Sequence, residues 1–435
     1  MTQESPFKAI VDLESPEYVN TTTVSTLAGI PLTLAENIKI GLAARLNAGI
    51  AGSAGDGKSQ LLADVQSWLG NNAGYVLGRN DLDIKTLYRK LQFRKLTQAM
   101  EQGGEVSQQD LSAITEAIHL PLIIVEEINR CVEVVQNQFF NIFEGFIELD
   151  GKIYQLGTTF TKEQTGIIAV RYSVGLWTAN FGNGDYSGTS SMDKALKERS
   201  HLIINTDNFQ AGGENREDLD GILLKSKGEV RLKRQESPKD HTLEFARAFA
   251  YLCEQAGKMD GRDAAYEALL FRYLKRGLDY IPVDSAKNSK RVMAEVWSAK
   301  AEEDNIGGTE EEKLLYRVVS PASTRSALTI LQLARSMREY VRAKDPNAQP
   351  EVVESVIEAF KLVAPYSGII KNPQRVREDF VGNDYLAAQA VAGIIKKKME
   401  DNKDLLDAIA HYKAQGQPLP RTVLDECKHD LDCLQ

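Results

Sequence analysis

Cysteine is scarce: a chain of 435 residues has 4, at Cys131, Cys253, Cys427 and Cys433. They are too scattered to form a disulfide framework, so reduced thiols in a reducing compartment are expected. Long apolar runs are missing, and no stretch approaches the roughly 18–20 residues that a spanning helix needs. The opening MTQESPFKAIVDLESPEY is polar and acidic, without the basic start and apolar core of a signal peptide. A cytoplasmic protein with no membrane partner is therefore expected. Positive charge is in deficit, with 52 Lys and Arg against 61 Asp and Glu and a net charge of −9. Such a chain does not need a polyanion as its main partner. No internal repeat or low-complexity tract appears.

What is present suits a globular protein of two or three domains. Hydrophobic residues make up 43% and charged residues 26% of the chain, enough for real cores under a solvated surface. Residues 1–40 read as a polar leader and a mixed segment. From about Ala43 an α/β pattern follows. LNAGIAG is a strand and SQLLADVQSWL a helix; AGYVLGRN is a strand, and 82–119 read as helical with a polar break at EQGGEVSQQD. PLIIVEE has the length and apolarity of a buried parallel strand. CVEVVQNQFFNIFEGF is helical, and Phe139, Phe140 and Phe143 at helical spacing read as core. IELDGKIYQLG reads as a hairpin turning at Asp150-Gly151. TGIIAVRYSVGLWTAN and SHLIINTD add strands. After about residue 210 nearly everything is helical: HTLEFARAFAYLCEQAG, DAAYEALLFRYLKRGL, STRSALTILQLARSMREYV and PEVVESVIEAFKLV. The expected division is an α/β nucleotide-binding core with its N-terminal segment over 1–212, a helical lid over 213–365, and a helical C-terminal extension over 366–435.

Gly52-Ser53-Ala54-Gly55-Asp56-Gly57-Lys58-Ser59 fits G-x-x-x-x-G-K-[ST], after a strand and at the start of a helix. Glycines let the backbone wrap phosphates and aim its N–H groups inward. The helix N-terminus adds partial positive charge. Lys58 is expected on the terminal phosphates and the Ser59 hydroxyl on Mg2+. Asp56 is an acid inside an anion-binding loop, so its carboxylate must point away from the phosphates. Downstream, Leu122-Ile123-Ile124-Val125 precede Glu126 and Glu127. A buried parallel strand delivers its C-terminal residues to the ligand edge. There Glu126 is expected on Mg2+ and Glu127 on the attacking water.

The segment EEINRCVEVVQNQFFNIFEGFIELDGKIYQL, followed by the strand Leu176-Trp177-Thr178-Ala179-Asn180, resembles the MoxR-like ATPases of the AAA+ class. Further matching pieces are Gly184-Asp185-Tyr186-Ser187-Gly188, Leu196-Lys197-Glu198-Arg199 and Ser320-Pro321-Ala322-Ser323-Thr324-Arg325-Ser326-Ala327. The resemblance spans about 30–365 and is most specific over 126–200. It implies an AAA+ P-loop core with a parallel sheet, an all-α lid, bound ATP and Mg2+, and a homo-oligomeric ring, expected as a hexamer. It further implies remodelling of a protein partner, one carrying a von Willebrand factor A domain. Asn180 becomes the polar sensor. Arg199 becomes an arginine finger reaching the next subunit. Arg325 becomes a second sensor placed by the lid over its own nucleotide. Plainer roles stand beside these: Asn180 caps a turn, Arg199 ends a helix as a surface arginine, and Arg325 pairs with acids. The chain departs from the family at Glu126, where Asp is usual, at Cys131, in the longer TTFTKEQTGIIAVRYS connection, and in its C-terminal extension.

Two other functions remain open. One is a McrB-like motor that hydrolyses GTP and works with a nuclease on nucleic acid; it shares Ile-Asn-Arg after the acidic pair, but WTANFGNGDYSG lacks its sensor pattern. The other is a nucleotide-binding scaffold with little hydrolysis, for which Glu126 is the main support. The basic stretch Lys225, Lys227, Arg231, Lys233 and Arg234 reads as a solvated linker, and Lys396–Lys398 read as the solvated face of an amphipathic helix. Cys427, His429 and Cys433 fit no standard zinc spacing.

Overall fold

The computed structural model describes residues 5–91, 112–180, 192, 194–209, 216–226, 232–258, 262–277, 318–371, 373–418 and 420–421. The break at EQGGEVSQQD, the segment Gly184-Asp185-Tyr186-Ser187-Gly188, Lys227, Arg231 and the Cys427, His429, Cys433 group lie outside these residues.

A five-stranded parallel sheet forms the centre. Its strands are β1 (Ala48–Gly52), β2 (Ala73–Leu77), β3 (Leu122–Glu126), β4 (Val174–Asn180) and β5 (Leu202–Asn205), in the order β5-β1-β4-β3-β2. Register fixes two opposite edges. Leu176 and Leu202 lie opposite Ala48, while Asn180 lies opposite Gly52. Alternation along the strands serves two cores, because successive side chains point to opposite faces. Ala48, Ile50, Leu122, Ile124, Leu176, Leu202 and Ile204 face one core. Ala51, Ile123, Val125, Trp177, Ala179 and Ile203 face the other. Trp177 is fully buried, and a Cβ at Gly49 would fall 2.1 Å from its ring.

The helices beside the sheet are α1 (Leu34–Ala43), α2 (Lys58–Trp68), α3 (Glu133–Phe143) and α4 (Lys194–Arg199), and α5 (Arg216–Ser226) lies on the N-terminal segment, where Asp218 accepts the Thr21 N–H at 2.8 Å. Phe139 and Phe143 of α3 are buried, as read from the sequence, whereas Phe140 is only half-buried against that core. The helical part contains α6 (Thr242–Lys258), α7 (Arg262–Arg272), α8 (Thr324–Lys344), α9 (Val352–Val363), α10 (Pro373–Phe380), α11 (Asp384–Asp401) and α12 (Lys403–Ala414). Ser323 caps α8 by accepting the Ser326 N–H at 3.0 Å. Helix α8 lies along α1, where Ser336 Oγ donates to the Ile40 carbonyl at 2.7 Å. Apolar residues of α8, α9, α11 and α12 join the same buried cluster as one face of the sheet. Among the described residues, no helix is long and apolar enough to cross a membrane.

Two stretches differ from the sequence reading. The helix expected over 82–119 is, where described, a short turn of helix at Lys85–Tyr88, then Arg89–Leu91 paired antiparallel with Ser112–Ile114, then a 3-10 turn at Glu116–His119. Pairing between distant residues, with Tyr88 fully buried, overrides local helical preference here. In the mixed leader, Thr23–Leu27 and Ile30–Thr33 form a hairpin that leads into α1. The Thr33 side chain and Glu36 make a capping box at that junction, a signal present in the sequence as Thr33-Leu34-Ala35-Glu36. The Asp150-Gly151 hairpin forms as read, with both turn residues at positive φ, 52° and 73°. That is the geometry of a two-residue primed turn.

Candidate phosphate-binding site

Strand β1 ends at Gly52 and α2 begins at Lys58, so the Gly52–Ser59 loop joins the sheet edge to a helix N-terminus. Gly52, Gly55 and Gly57 have φ of 139°, 97° and 72°. Gly52 needs more than conformational freedom, since a Cβ there would fall 1.8 Å from Thr206 Oγ1. Lys58 lies across the loop and donates to the Gly52 carbonyl at 3.0 Å and to the Ser53 carbonyl. Burial lowers its pKa from the usual lysine value, opposed by the charges of Asp56, Asp207 and Glu127.

Asp56 turns aside from the loop. Its carboxylate accepts the Thr206 hydroxyl at 2.6 Å, just beyond β5. The neighbouring Asp207 accepts the Ser53 N–H at 2.9 Å. Neither Thr206 nor Asp207 was singled out from the sequence, because both reach the loop only through the pairing of β5 with β1. The N-terminal segment braces the same loop. Asp64 of α2 accepts the Tyr18 N–H at 2.8 Å, and the Tyr18 ring lies 3.2 Å from where a Gly57 Cβ would sit.

The acidic pair stands at the same edge. Ser59 Oγ donates to Glu126 Oε1, so the two oxygen donors expected on Mg2+ touch across 67 residues of sequence. Glu127 follows in the left-handed region at φ 54°, which is strained for a glutamate. Its N–H donates to Thr178 Oγ1 at 3.0 Å. Its carboxylate accepts Asn180 Nδ2 at 3.3 Å and pairs with Arg130 Nε at 2.7 Å. Asn129 completes the link by donating to the Asn180 carbonyl at 3.0 Å. Gly78, just past β2, makes room for this turn: a Cβ there would meet the Glu127 carbonyl oxygen at 2.2 Å. Nothing local in the sequence marks that close approach.

Arg199 and Arg325 are elsewhere. Asn47, which precedes β1, holds the other edge of the sheet by donating to the carbonyls of Phe143 (2.7 Å) and Arg199 (3.0 Å). The five residues of β1 separate the two edges by about 13 Å at the usual strand rise. At this far edge Arg199 Nε lies 3.2 Å from Glu144 Oε1, and Arg325 donates to the same oxygen at 2.5 Å. The expected place of Arg325 over its own phosphate loop is therefore corrected. Helix α8 packs along α1, which carries the start of α8 to Glu144. Beside the pair, the His201 ring accepts the Asn47 N–H at 3.1 Å. Burial, with Arg325 and Arg45 nearby, pushes its pKa down to about 4.

The basic stretch is taken up internally where it is described. Lys225 donates to the Pro16 carbonyl at 2.9 Å, Lys233 pairs with Glu17 at 3.8 Å, and Arg234 lies over the Tyr75 ring.

The chain is similar in fold to the crystal structure of a protein from Cytophaga hutchinsonii described as a presumed ATPase. The TM-score is 0.53 at 13% identity, with 82% of this chain and 86% of that chain covered. The shared fold is an α/β core around a parallel sheet, followed by a helical part. No family model matches the chain, and no curated protein matches it.

Proposed function

We propose that this chain is a Mg2+-dependent ATPase of the AAA+ class, of the MoxR-like kind, acting as a ring that remodels a protein partner. The observation that carries this reading is the meeting of Ser59 with Glu126 beside the Glu127–Asn180 pair, all at the edge that bears the phosphate loop. These groups are far apart in sequence, and the parallel register of β1, β3 and β4 brings them to one edge. Hard oxygen donors suit Mg2+, and Ser59 and Glu126 are the pair to hold it. When bound, the ion neutralises charge on the phosphates.

The rest of the chemistry falls to the chain itself. Loop N–H groups, the α2 N-terminus and Lys58 bind the phosphates. Glu127 accepts a proton from the attacking water, and Asn180 and Arg130 fix its carboxylate. The extra methylene of Glu126, relative to aspartate, does not keep it from Ser59, which weighs against a scaffold without hydrolysis. Arg199 faces away from its own loop, as an arginine acting on the next subunit must. The implied partner is a protein carrying a von Willebrand factor A domain.

The test is phosphate release from Mg2+-ATP by the purified chain, with GTP as competitor and Lys58→Ala as control. ATP turnover that Lys58→Ala abolishes supports the reading. A clear preference for GTP would replace it with the McrB-like motor.

A further inference from the structure

Glu144 ends α3 as its C-cap, and it receives an arginine from each half of the molecule. Arg199 comes from α4 beside the sheet, and Arg325 from the start of α8 in the helical part. Both guanidinium groups meet the one oxygen Oε1. The Arg199 contact is a charge pairing rather than a full hydrogen bond, since its Nε has no partner at hydrogen-bond angle. The Phe140 ring lies 4.8 Å beneath Arg199 and backs the guanidinium from one side. Side-chain exposures of 25%, 35% and 34% for Arg199, Arg325 and Glu144 leave the cluster open to an incoming group.

We propose that Glu144 is a positioning residue. It gathers Arg199 and Arg325 into one unit, which the chain presents to the phosphates of nucleotide held by a second copy. This rests on the phosphate-loop ATPase reading above. Two like charges repel at close range, and a carboxylate between them holds both and cancels one. The unit keeps a net charge of one positive, and the neighbouring His201 is neutral near pH 7. A guanidinium has five N–H donors, so the shared carboxylate leaves each arginine donors for a phosphate. Forked donors suit phosphate oxygens better than a lysine does. The unit stands at the edge opposite its own phosphate loop, so the phosphates it serves belong to another copy.

The test uses full-length Glu144→Ala and Glu144→Gln, with Glu144→Asp as the charge-keeping variant. Both neutral variants should lose about tenfold or more in kcat with KM for ATP little changed, because only the developing charge loses its partner. Glu144→Asp should recover most of the loss. The decisive measurement mixes Glu144→Gln with Glu127→Gln in equal amounts. Each supplies what the other lacks, so activity should return to roughly a quarter of wild type in randomly mixed head-to-tail assemblies. A Glu144→Gln chain that hydrolyses ATP like wild type overturns the proposal. So does a Glu144→Gln chain of wild-type melting temperature that stays inactive in the mixture. A silent wild type counts against the ATPase reading itself, whereas an active wild type with an unchanged Glu144→Gln counts against this proposal alone.

Discussion

The two edges of the central sheet are built from the same five strands and bear opposite chemistry. At the Gly52 edge, carboxylates crowd around one buried lysine: Asp56, Asp207 and Glu127 all act on Lys58. At the Ala48 edge, one carboxylate serves two arginines. The first edge has an oxygen-donor pair and a candidate base, and among the described residues its paired arginine is Arg130, held on Glu127. The second has the arginines but no phosphate loop. Each looks incomplete alone, and they complement one another if one copy's Ala48 edge meets the next copy's Gly52 edge. Such head-to-tail contacts generate rings when the rotation closes.

Substitutions can break this complementarity one edge at a time. The largest loss is expected from Arg199→Ala at the Ala48 edge, about 10³-fold or more in kcat on the proposed role of Arg199 as an arginine finger. Nucleotide binding should be unchanged in an equilibrium titration. Glu127→Gln, at the Gly52 edge, should cost on the order of 10²–10⁴-fold in kcat, with ATP still bound. Gly78→Ala should displace the Glu127 turn, because its Cβ would fall 2.2 Å from a backbone oxygen. The expected cost is roughly 1–3 kcal/mol of stability in denaturant unfolding, together with slower turnover.

The smallest effect concerns pH. His201 has a folded pKa of about 4, below its ordinary 6.5. The unfolded chain therefore binds a proton that the folded chain refuses between these values. Its contribution is fully present above pH 6.5 and fades as pH falls toward 4, by up to about 3 kcal/mol. His201 has φ 50°, which asparagine tolerates. His201→Asn should flatten the fall in stability over that window, and an unchanged slope would remove His201 from the account.

Much of the sheet was legible because its signals are local. The loop Gly52–Ser59, the apolar run ending at Glu126 and the Asp150-Gly151 turn each declare themselves within a few residues. The 82–119 stretch was misread because Arg89–Leu91 forms a strand only through a partner more than twenty residues away. The same limit hid Thr206, Asp207, Gly78 and Glu144. Each matters through an approach made by strand pairing or helix packing; Glu144 lies within the segment that carries the resemblance, but nothing local marks the two arginines it meets. Arg325 was found as a residue and misplaced in space, since the packing of α8 on α1 decides which edge its N-terminus reaches.

On the proposed reading, hydrolysis needs both edges and therefore two copies. The most direct test is the steady-state ATP hydrolysis rate per subunit across a wide range of protein concentration, with Glu127→Gln run alongside. The wild-type rate should climb with concentration and level off as the chain assembles, while Glu127→Gln stays at background throughout. A dilute monomer that turns over ATP at a rate independent of concentration would contradict that reading.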